Sequence, residues 1–179
     1  MKRSETNLSG VFRIEPESIA DERGCFARTY CRESFASWGL EASFAQQSVS
    51  YNTAAHTLRG MHYQDPPHAE VKLVRCTRGR IYDVVLDLRP ASPTWGEWSA
   101  HELDEEERVA LYVPRGCAHG FLTLTPGAEV LYQISPPYVA GRGCGVRWND
   151  AAFAIEWPAE PRVMSDRDRN YPDHGRIGS

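Results

Sequence analysis

Hydrophobic residues in this chain come in short runs, separated by turn-forming residues about every ten positions. The run Arg80–Leu88 alternates: Val84 and Leu86 share one face of the predicted strand, and Asp83 and Asp87 share the other. Spacing of this kind is typical of a β-sandwich or a β-barrel. The pattern predicts strands at Val11–Ile14, Phe26–Tyr30, Phe44–Tyr51, Lys72–Thr77, Arg80–Leu88, Trp98–Leu103, Ala110–Val113, Phe121–Leu124 and Val130–Ser135.

Helical periodicity is scarce. One helix is predicted at Glu33–Trp38, before Gly39, and a short second helix near Asp150–Ile155. Because strands and helices do not alternate, the sequence argues against doubly wound and TIM-barrel folds. We therefore expect an all-β fold, an antiparallel jelly roll or barrel with one or two short peripheral helices, in a single domain over residues 1–179.

Composition narrows the class of protein. The 20 Lys and Arg residues against 24 Asp and Glu residues give a net charge of −4, which argues against nucleic-acid binding as the main role. There is no run of about 18 apolar residues, so no membrane span is predicted. The polar start Met1–Glu5 argues against a signal peptide. Five cysteines without a Cys-x-x-Cys pair argue against a disulfide framework and predict reduced thiols in a cytoplasmic protein.

The densest polar cluster is Leu58–Gln64, followed by Lys72. If this segment is extended, His62 and Gln64 lie on one face, close to Arg59 in sequence. Lys72 is one of only two lysines in a chain that otherwise uses arginine, which suggests a need for a compact ammonium group there. We therefore take His62 and Lys72 as candidate functional residues.

A second polar cluster, Val113–Phe121, has the P-x-G-x-x-H spacing that resembles the second motif of cupin barrels and ends in His119. Metal-binding cupins carry an H-x-H pair in their first motif, whereas the corresponding segment here is His62-Tyr63-Gln64. Two histidines without a clear third ligand predict a barrel without metal. Gly141–Gly145 is predicted to be a flexible loop, and Met164–Asp168 a charged loop.

Several motifs occur together in one order along the chain. They are Asp21-Glu22-Arg23-Gly24-Cys25-Phe26, Leu58-Arg59-Gly60-Met61-His62-Tyr63-Gln64, Lys72-Leu73-Val74-Arg75-Cys76, Asp83 with Asp87-Leu88-Arg89, Ser92-Pro93-Thr94, Pro114-Arg115-Gly116-Cys117-Ala118-His119-Gly120-Phe121, Trp148-Asn149-Asp150 and Ser165-Asp166-Arg167-Asp168. In order and spacing this set resembles the dTDP-4-dehydrorhamnose 3,5-epimerases, from about Val11 to Asp168.

The resemblance implies a cupin-type jelly roll that forms a homodimer and acts without metal or organic cofactor. The implied substrate is a nucleotide-linked 4-keto-6-deoxyhexose, with dTDP as the favoured nucleotide. It also implies that His62, paired with Asp168, is the base, that Tyr132 is the acid, and that Lys72 stabilises an enolate. The implied substrate-binding residues are Arg23, Phe26, Gln46, Ser48, Arg59, His119, Tyr138 and Arg167.

These residue types suit the chemistry. Removing a proton next to a ketone needs a base, a positive group at the ketone oxygen and a proton donor on the opposite face.

The chain departs from the family pattern at Gln46-Gln47-Ser48, where Gln-x-Asn is common, and at Tyr138–Gly143, which lacks a common glutamate. Both departures fall in the implied recognition surface.

Other functions stay open at this point. They are an epimerase that acts at C3 or C5 alone, an isomerase that moves the ketone along the ring, a non-catalytic cupin that binds nucleotide sugars, and a metal-dependent cupin. The presence of both a base and an acid disfavours a purely binding role, because binding alone requires neither.

Overall fold

The computed structural model describes residues 1–174 of the chain. Its strands are β1 (Lys2–Glu5), β2 (Phe12–Glu15), β3 (Ser18–Asp21), β4 (Gly24–Ala27), β5 (Gln46–Asn52), β6 (Leu58–Gln64), β7 (Val71–Arg78), β8 (Arg80–Asp87), β9 (Trp98–Asp104), β10 (Ala110–Val113), β11 (Cys117–Thr123), β12 (Ala128–Ser135) and β13 (Gly143–Gly145). Two helices accompany them within this range, α1 (Arg32–Ser37) and α2 (Asp166–Arg169). No helix among residues 1–174 is long and apolar enough to cross a membrane.

The strands form two antiparallel sheets and a separate hairpin. The larger sheet has the order β1-β2-β10-β7-β12-β5, and the smaller has the order β13-β6-β11-β8-β9. Strands β3 and β4 pair only with each other. This architecture, with its two short helices, confirms the predicted all-β fold class.

The main core lies between the two sheets and explains the alternation of β8. Ile81 and Val85 belong to the core cluster that includes residues of both sheets, whereas Val84 and Leu86 pack on the outer face of the smaller sheet. Asp83 is fully buried. Both faces of β8 are therefore covered, as expected for a strand in the middle of a layered structure.

The second aspartate of β8, Asp87, is fully buried at the end of the strand and organises the following turn. Its carboxylate accepts hydrogen bonds from Arg89 Nε at 2.8 Å, from Thr94 Oγ1 at 2.7 Å and from Ser92. Burial alone would raise the pKa of Asp87, but these donors outweigh it and hold the pKa well below its usual range. Asp87 therefore stays ionised and stabilises the turn.

The outer face of each sheet is covered by a short segment. Phe35 of α1 is fully buried and packs against Tyr30 and Phe44, with ring centroids 5.1 and 6.2 Å apart, over the larger sheet. Val146 and Phe153 cover the smaller sheet. Neither segment enters the space between the sheets, where the cavity described below lies.

The nine predicted strands are all present with shifted ends, and the segment Leu58–Gln64 is extended as β6. Three further strands, β1, β3 and β13, are short and were not predicted. Gly143–Gly145 pairs with β6, so the prediction of a loop over Gly141–Gly145 is wrong for its second half. The pairing partner supplies the order that the glycine-rich composition does not predict.

The helix predictions are partly wrong. Glu33–Trp38 corresponds to α1 within one residue, but Asp150–Ile155 contains only turns. The backbone carbonyl of Asp150 accepts hydrogen bonds from Phe153 N and Ala154 N, and the positive φ of Ala154 (47°) then ends the turn. Asp166–Arg169, predicted as part of a loop, is a short helix because Ser165 caps it by accepting a hydrogen bond from Asp168 N.

Candidate active site

A cavity of about 450 Å³ lies between the two sheets. Residues on strands of both sheets line it, together with neighbouring loops and α2. Nine of the predicted site residues are among them: Gln46, Ser48, Arg59, His62, Lys72, His119, Tyr132, Tyr138 and Arg167. A cavity of this size is in the range of small-molecule sites.

A histidine–carboxylate pair stands at this cavity. His62 Nε2 lies 2.7 Å from Asp168 Oδ1, and the side chain of His62 is 41% exposed while that of Asp168 is 4% exposed. Burial alone would raise the pKa of Asp168, but the hydrogen bonds from His62 and from the Gly60 amide lower it below its ordinary value. An ionised carboxylate only accepts hydrogen bonds, so Nε2 of the neutral ring carries the hydrogen and Nδ1 carries the lone pair.

The chain brings these two residues together from positions 106 residues apart. Leu58 N donates to Val163 O at 2.9 Å, so the segment that leads into α2 runs beside β6. Gly60 N then donates to Asp168 Oδ2 at 3.3 Å. The carboxylate is thus fixed by the backbone of the strand that carries its histidine partner.

Gly60 also sets the approach of β6 to β11. A Cβ atom at Gly60 would lie 2.5 Å from Gly120 Cα, and the φ of Gly60 is +143°. Because both positions are glycine, the strands come close here, and the register then places His62 opposite His119. The glycine of this R-G-x-H motif is therefore required for steric reasons, because it allows the close approach of β6 and β11 that places His62 opposite His119.

Lys72 is a buried ammonium at the cavity. Its Nζ donates to the carbonyl oxygen of His62 at 2.8 Å and lies 3.0 Å from Glu70 Oε1. The residue is 8% exposed. An ammonium group has three hydrogens, so two bonds fix its position and one hydrogen stays available to a ligand.

Tyr132 reaches the cavity from the sheet opposite His62. It lies on β12, paired with Ser48 of β5 and Val74 of β7, whereas His62 lies on β6 of the smaller sheet. Both side chains line the same cavity. A ligand between the sheets can therefore contact an imidazole on one side and a phenol on the other.

A second histidine–carboxylate pair lies beside the first. His119 Nε2 is 3.0 and 2.8 Å from the two oxygens of Asp83, which is completely buried between the sheets. His119 lines the cavity and is 7% exposed. The carboxylate fixes the orientation of this ring as Asp168 fixes that of His62.

Polar groups that suit an anionic ligand surround the cavity. Arg59 Nε donates to Asn52 Oδ1 at 2.7 Å, and Arg167 donates to the carbonyl oxygen of Gly143. Both guanidinium groups keep further N–H donors for a ligand. Tyr138 is 48% exposed, and its backbone N–H donates to Gln46 Oε1 at 2.7 Å.

Arg23 and Phe26, the two remaining predicted binding residues, do not line this cavity. They belong to the β3–β4 hairpin, where the guanidinium of Arg23 pairs with Asp21 and Phe26 is 69% exposed. The sequence could not reveal this placement, because the hairpin does not join either sheet of its own chain.

Comparison with known proteins decides the family. The profile of the dTDP-4-dehydrorhamnose 3,5-epimerase family matches residues 5–174. This chain belongs to that family. A family member from Sinorhizobium fredii is 37% identical over 93% of this chain and 86% of its own length. A dTDP-4-dehydrorhamnose 3-epimerase from Streptomyces niveus is 36% identical over 95% of this chain and 82% of its own length.

A solved structure of a dTDP-4-dehydrorhamnose 3,5-epimerase from Bacillus anthracis, with TDP and PPi bound, superposes with a TM-score of 0.92. It is 41% identical, and the match covers 96% of this chain and 98% of that one. The jelly-roll prediction is confirmed by this likeness to the epimerase family.

The structure adds residues that were not among the predicted site residues. Glu70, Phe121, Ile134 and Cys144 line the cavity, and Asp83 supports it from behind. Glu70 could have been found, because it lies two positions before Lys72 and alternate residues of a strand share a face. For Asp83 the motif did not reveal its partner, since His119 is 36 residues away.

A second cavity, also of about 450 Å³, adjoins the first on the side of Asp168. The two share Arg59, His62 and Arg167.

Among residues 1–174, no group of three or more His, Cys, Asp or Glu side chains is arranged to hold a metal ion. Both histidines of the cavity instead have carboxylate partners through Nε2.

Proposed function

We propose that this chain is an epimerase that converts dTDP-4-dehydro-6-deoxyglucose into dTDP-4-dehydrorhamnose, without a metal or organic cofactor. The observation that supports it best is the shared cavity of His62, Lys72 and Tyr132, with the base and the acid on opposite sheets. A sugar ring bound between them has one group on each face, which is the arrangement that inversion at a carbon requires.

The first step is proton removal next to the ketone. His62 Nδ1 takes the proton from carbon, and the electron pair of the broken C–H bond moves onto the ketone oxygen to give an enolate. Asp168 holds the ring in the required tautomer and stabilises the imidazolium that forms, as expected from its 2.7 Å contact.

Lys72 stabilises the negative oxygen of this intermediate. Its two contacts to protein oxygens fix the ammonium, and its third hydrogen stays available to the ligand. In comparable sites one such donor contributes about 3–4 kcal/mol to the transition state.

Tyr132 completes the inversion. Its hydroxyl gives a proton to the carbon from the face opposite His62, and the ketone re-forms as the electron pair returns. The phenolate then regains a proton and the imidazolium loses one through solvent. Net protonation is unchanged, so no oxidant or reductant is needed.

The nucleotide diphosphate is proposed to lie against Arg59 and Arg167, which line both cavities. Guanidinium groups suit the planar, paired oxygens of a diphosphate. The TDP and pyrophosphate bound in the relative from Bacillus anthracis support dTDP as the nucleotide. Gln46, Ser48, His119 and Tyr138 are proposed to contact the rest of the substrate.

Deuterium incorporation in heavy water tests this function. The purified protein is incubated with dTDP-4-dehydro-6-deoxyglucose, and NMR identifies the labelled carbon and the stereochemistry of the product. We expect label at C5 and C3 together with product of inverted configuration. Absence of exchange with this and other 4-keto nucleotide sugars would refute the proposal.

Epimerisation at C3 alone is the second candidate. The relative from Streptomyces niveus, a 3-epimerase, is 36% identical, almost as similar as the 3,5-epimerase from Sinorhizobium fredii. The same NMR experiment separates the two functions, because an enzyme that inverts C3 only leaves C5 in its original configuration.

A homodimer is proposed from the exposed β3–β4 hairpin. Ile19 and Phe26 on this hairpin are 70% and 69% exposed, and Arg23 lies away from the cavity of its own chain. In a twofold dimer the same surface acts twice, so the hairpin of each subunit can supply Arg23 and Phe26 to the partner cavity.

Mixing two inactive variants tests this exchange. Arg23→Ala lacks the hairpin group and His62→Ala lacks the base. If Arg23 acts across the interface, mixed dimers contain one complete site, and about a quarter of the wild-type activity returns. If Arg23 acts within its own chain, mixing restores nothing, and if it has no role, Arg23→Ala is active before mixing.

We also propose that residues 1–179 form one domain and that the protein works in the cytoplasm. All five cysteines are free thiols, and Cys76 and Cys117 are buried. Free thiols are typical of proteins in a reducing compartment.

A further inference from the structure

Glu70 is a buried carboxylate at the cavity, and the mechanism above gives it no role beyond its contact with Lys72. It is 8% exposed and precedes β7 directly. Oε1 lies 3.0 Å from Lys72 Nζ, and Oε2 accepts a hydrogen bond from Gln64 Nε2 at 2.7 Å. Both oxygens are engaged by donors, so Glu70 is arranged to hold other groups in place.

The chain of hydrogen bonds continues through Gln64. Gln64 is 2% exposed, and its Oε1 accepts from Val139 N at 3.0 Å. Val139 directly follows Tyr138, whose side chain lines the cavity. Glu70 is thus connected on one side to the ammonium of Lys72 and on the other to the segment that carries Tyr138.

Only one assignment of donors and acceptors satisfies this series of hydrogen bonds. Lys72 and Val139 N can only donate, so Glu70 must accept from Lys72, and Gln64 must present its oxygen to Val139. The amide nitrogen of Gln64 then faces Glu70, which must accept again. Only a group with two acceptor atoms satisfies both neighbours at this position.

Since the two fixed contacts of Lys72 are Glu70 and the carbonyl of His62, loss of Glu70 leaves the ammonium with one anchor. We propose that Glu70 is a positioning residue for the epimerisation, which aims Lys72 at the ketone oxygen and, through Gln64, holds the Tyr138 segment over the cavity. This inference rests on the proposed function.

Glu70→Gln tests the role, because it keeps the shape of the side chain and replaces one acceptor with a donor. Its amide cannot accept from both Lys72 and Gln64, so a donor–donor contact forms at one of them. We expect kcat for deuterium incorporation to fall by about 10- to 100-fold, as small misplacements of catalytic groups do. KM is expected to rise by a smaller factor than kcat falls, because the diphosphate contacts are unchanged and only the Tyr138 segment, reached through Gln64, loses support.

A second measurement follows Lys72 directly and does not depend on turnover. The chain has only two lysines, Lys2 and Lys72, so lysine labelled with ¹⁵N at Nζ gives two ammonium signals. We expect Glu70→Gln to shift or broaden the Lys72 signal and leave that of Lys2 unchanged. Glu102→Gln, which alters an exposed pair with Arg80, is the matched control and is expected to change neither rate nor spectrum.

The double variant Gln64→Glu/Glu70→Gln guards against a folding defect in the single variant. It restores the donor–acceptor order towards Lys72 and Val139, since the new carboxylate accepts from Val139 N and from the new amide, whose oxygen accepts from Lys72. The one bond it gives up is the 3.3 Å donation from Gln64 Nε2 to the carbonyl oxygen of His68. We expect it to recover most of the lost rate.

An unchanged Lys72 signal in Glu70→Gln, or a kcat within about twofold of an active wild type, would overturn the role of Glu70. A double variant that folds but stays as slow as Glu70→Gln would also overturn it. Absence of exchange in the wild type itself would refute the proposed epimerase function, while the NMR measurement would still decide whether Glu70 positions Lys72.

Discussion

Replacing Asp168 with asparagine changes one atom of the site and alters which nitrogen of His62 carries a hydrogen. The carboxylate of Asp168 accepts from His62 Nε2 at 2.7 Å and from Gly60 N at 3.3 Å. An asparagine has one acceptor oxygen, so it can satisfy only one of these donors. The backbone amide of Gly60 cannot change its role, whereas the imidazole can.

We therefore expect the asparagine oxygen to face Gly60 N and its NH₂ group to face His62 Nε2. The ring then carries its hydrogen on Nδ1, and the nitrogen that should take the proton from the sugar has no lone pair. Loss of the correct tautomer in a comparable histidine–aspartate pair lowers kcat by about 10⁴-fold. For Asp168→Asn we expect a loss of about 10³- to 10⁴-fold, equivalent to about 4–5.5 kcal/mol.

The assay is the initial rate of deuterium incorporation from heavy water, with KM and the melting temperature measured in parallel. Asp166→Asn is the matched control, since this residue lies in the same short helix but is exposed and does not line either cavity. A folded Asp168→Asn variant that keeps its rate within about tenfold of wild type would refute the assignment of the base.

Three further predictions concern the proposed acid Tyr132, the buried carboxylate of Asp87 and the contact between β6 and β11 at Gly60. Tyr132→Phe is expected to lower the formation of inverted product by about 10²- to 10⁴-fold while deuterium exchange by the base persists, and equal loss of both in the NMR assay would contradict this. Asp87→Asn is expected to lower the free energy of unfolding by about 3–5 kcal/mol, and denaturant titration measures it. Because the pKa of Asp87 is lowered in the folded protein, its contribution to stability is complete above the unfolded value of about 3.9 and is lost as the pH falls towards the folded pKa, so the difference between wild type and variant should shrink in acid. Gly60→Ala is expected to destabilise the fold by about 1–3 kcal/mol more than Gly96→Ala, because both have positive φ but only the first puts its Cβ against Gly120; equal melting temperatures would contradict this.

Short-range pattern predicted the strands well, because alternation and turn residues act within a few positions. The nine predicted strands exist, and the alternation of Arg80–Leu88 correctly placed Asp83 and Asp87 on the face opposite Val84 and Leu86, although Ile81 and Val85 make that second face part of the main core. The same reasoning failed at Asp150–Ile155, which was predicted as a helix but forms a single turn that does not continue. It also missed β13, whose order comes from pairing with β6.

Motif order predicted the family and most of the cavity. Arg59, His62, Lys72 and Tyr132 all line one cavity, as the spacing of their motifs implied. Their catalytic and binding roles remain predictions for the experiments above.

What only the tertiary structure decided is how groups distant in sequence meet. The pairs His62–Asp168 and His119–Asp83 join residues 106 and 36 positions apart, and Gln64 of β6 meets Glu70, which lies just before β7. Local sequence patterns are set by the two-residue period of a strand, whereas these contacts are set by sheet register and by the close approach of β6 and β11. The sequence by itself therefore determined which residues alternate and which motifs are present, and the packing of two sheets determined which of them share a site.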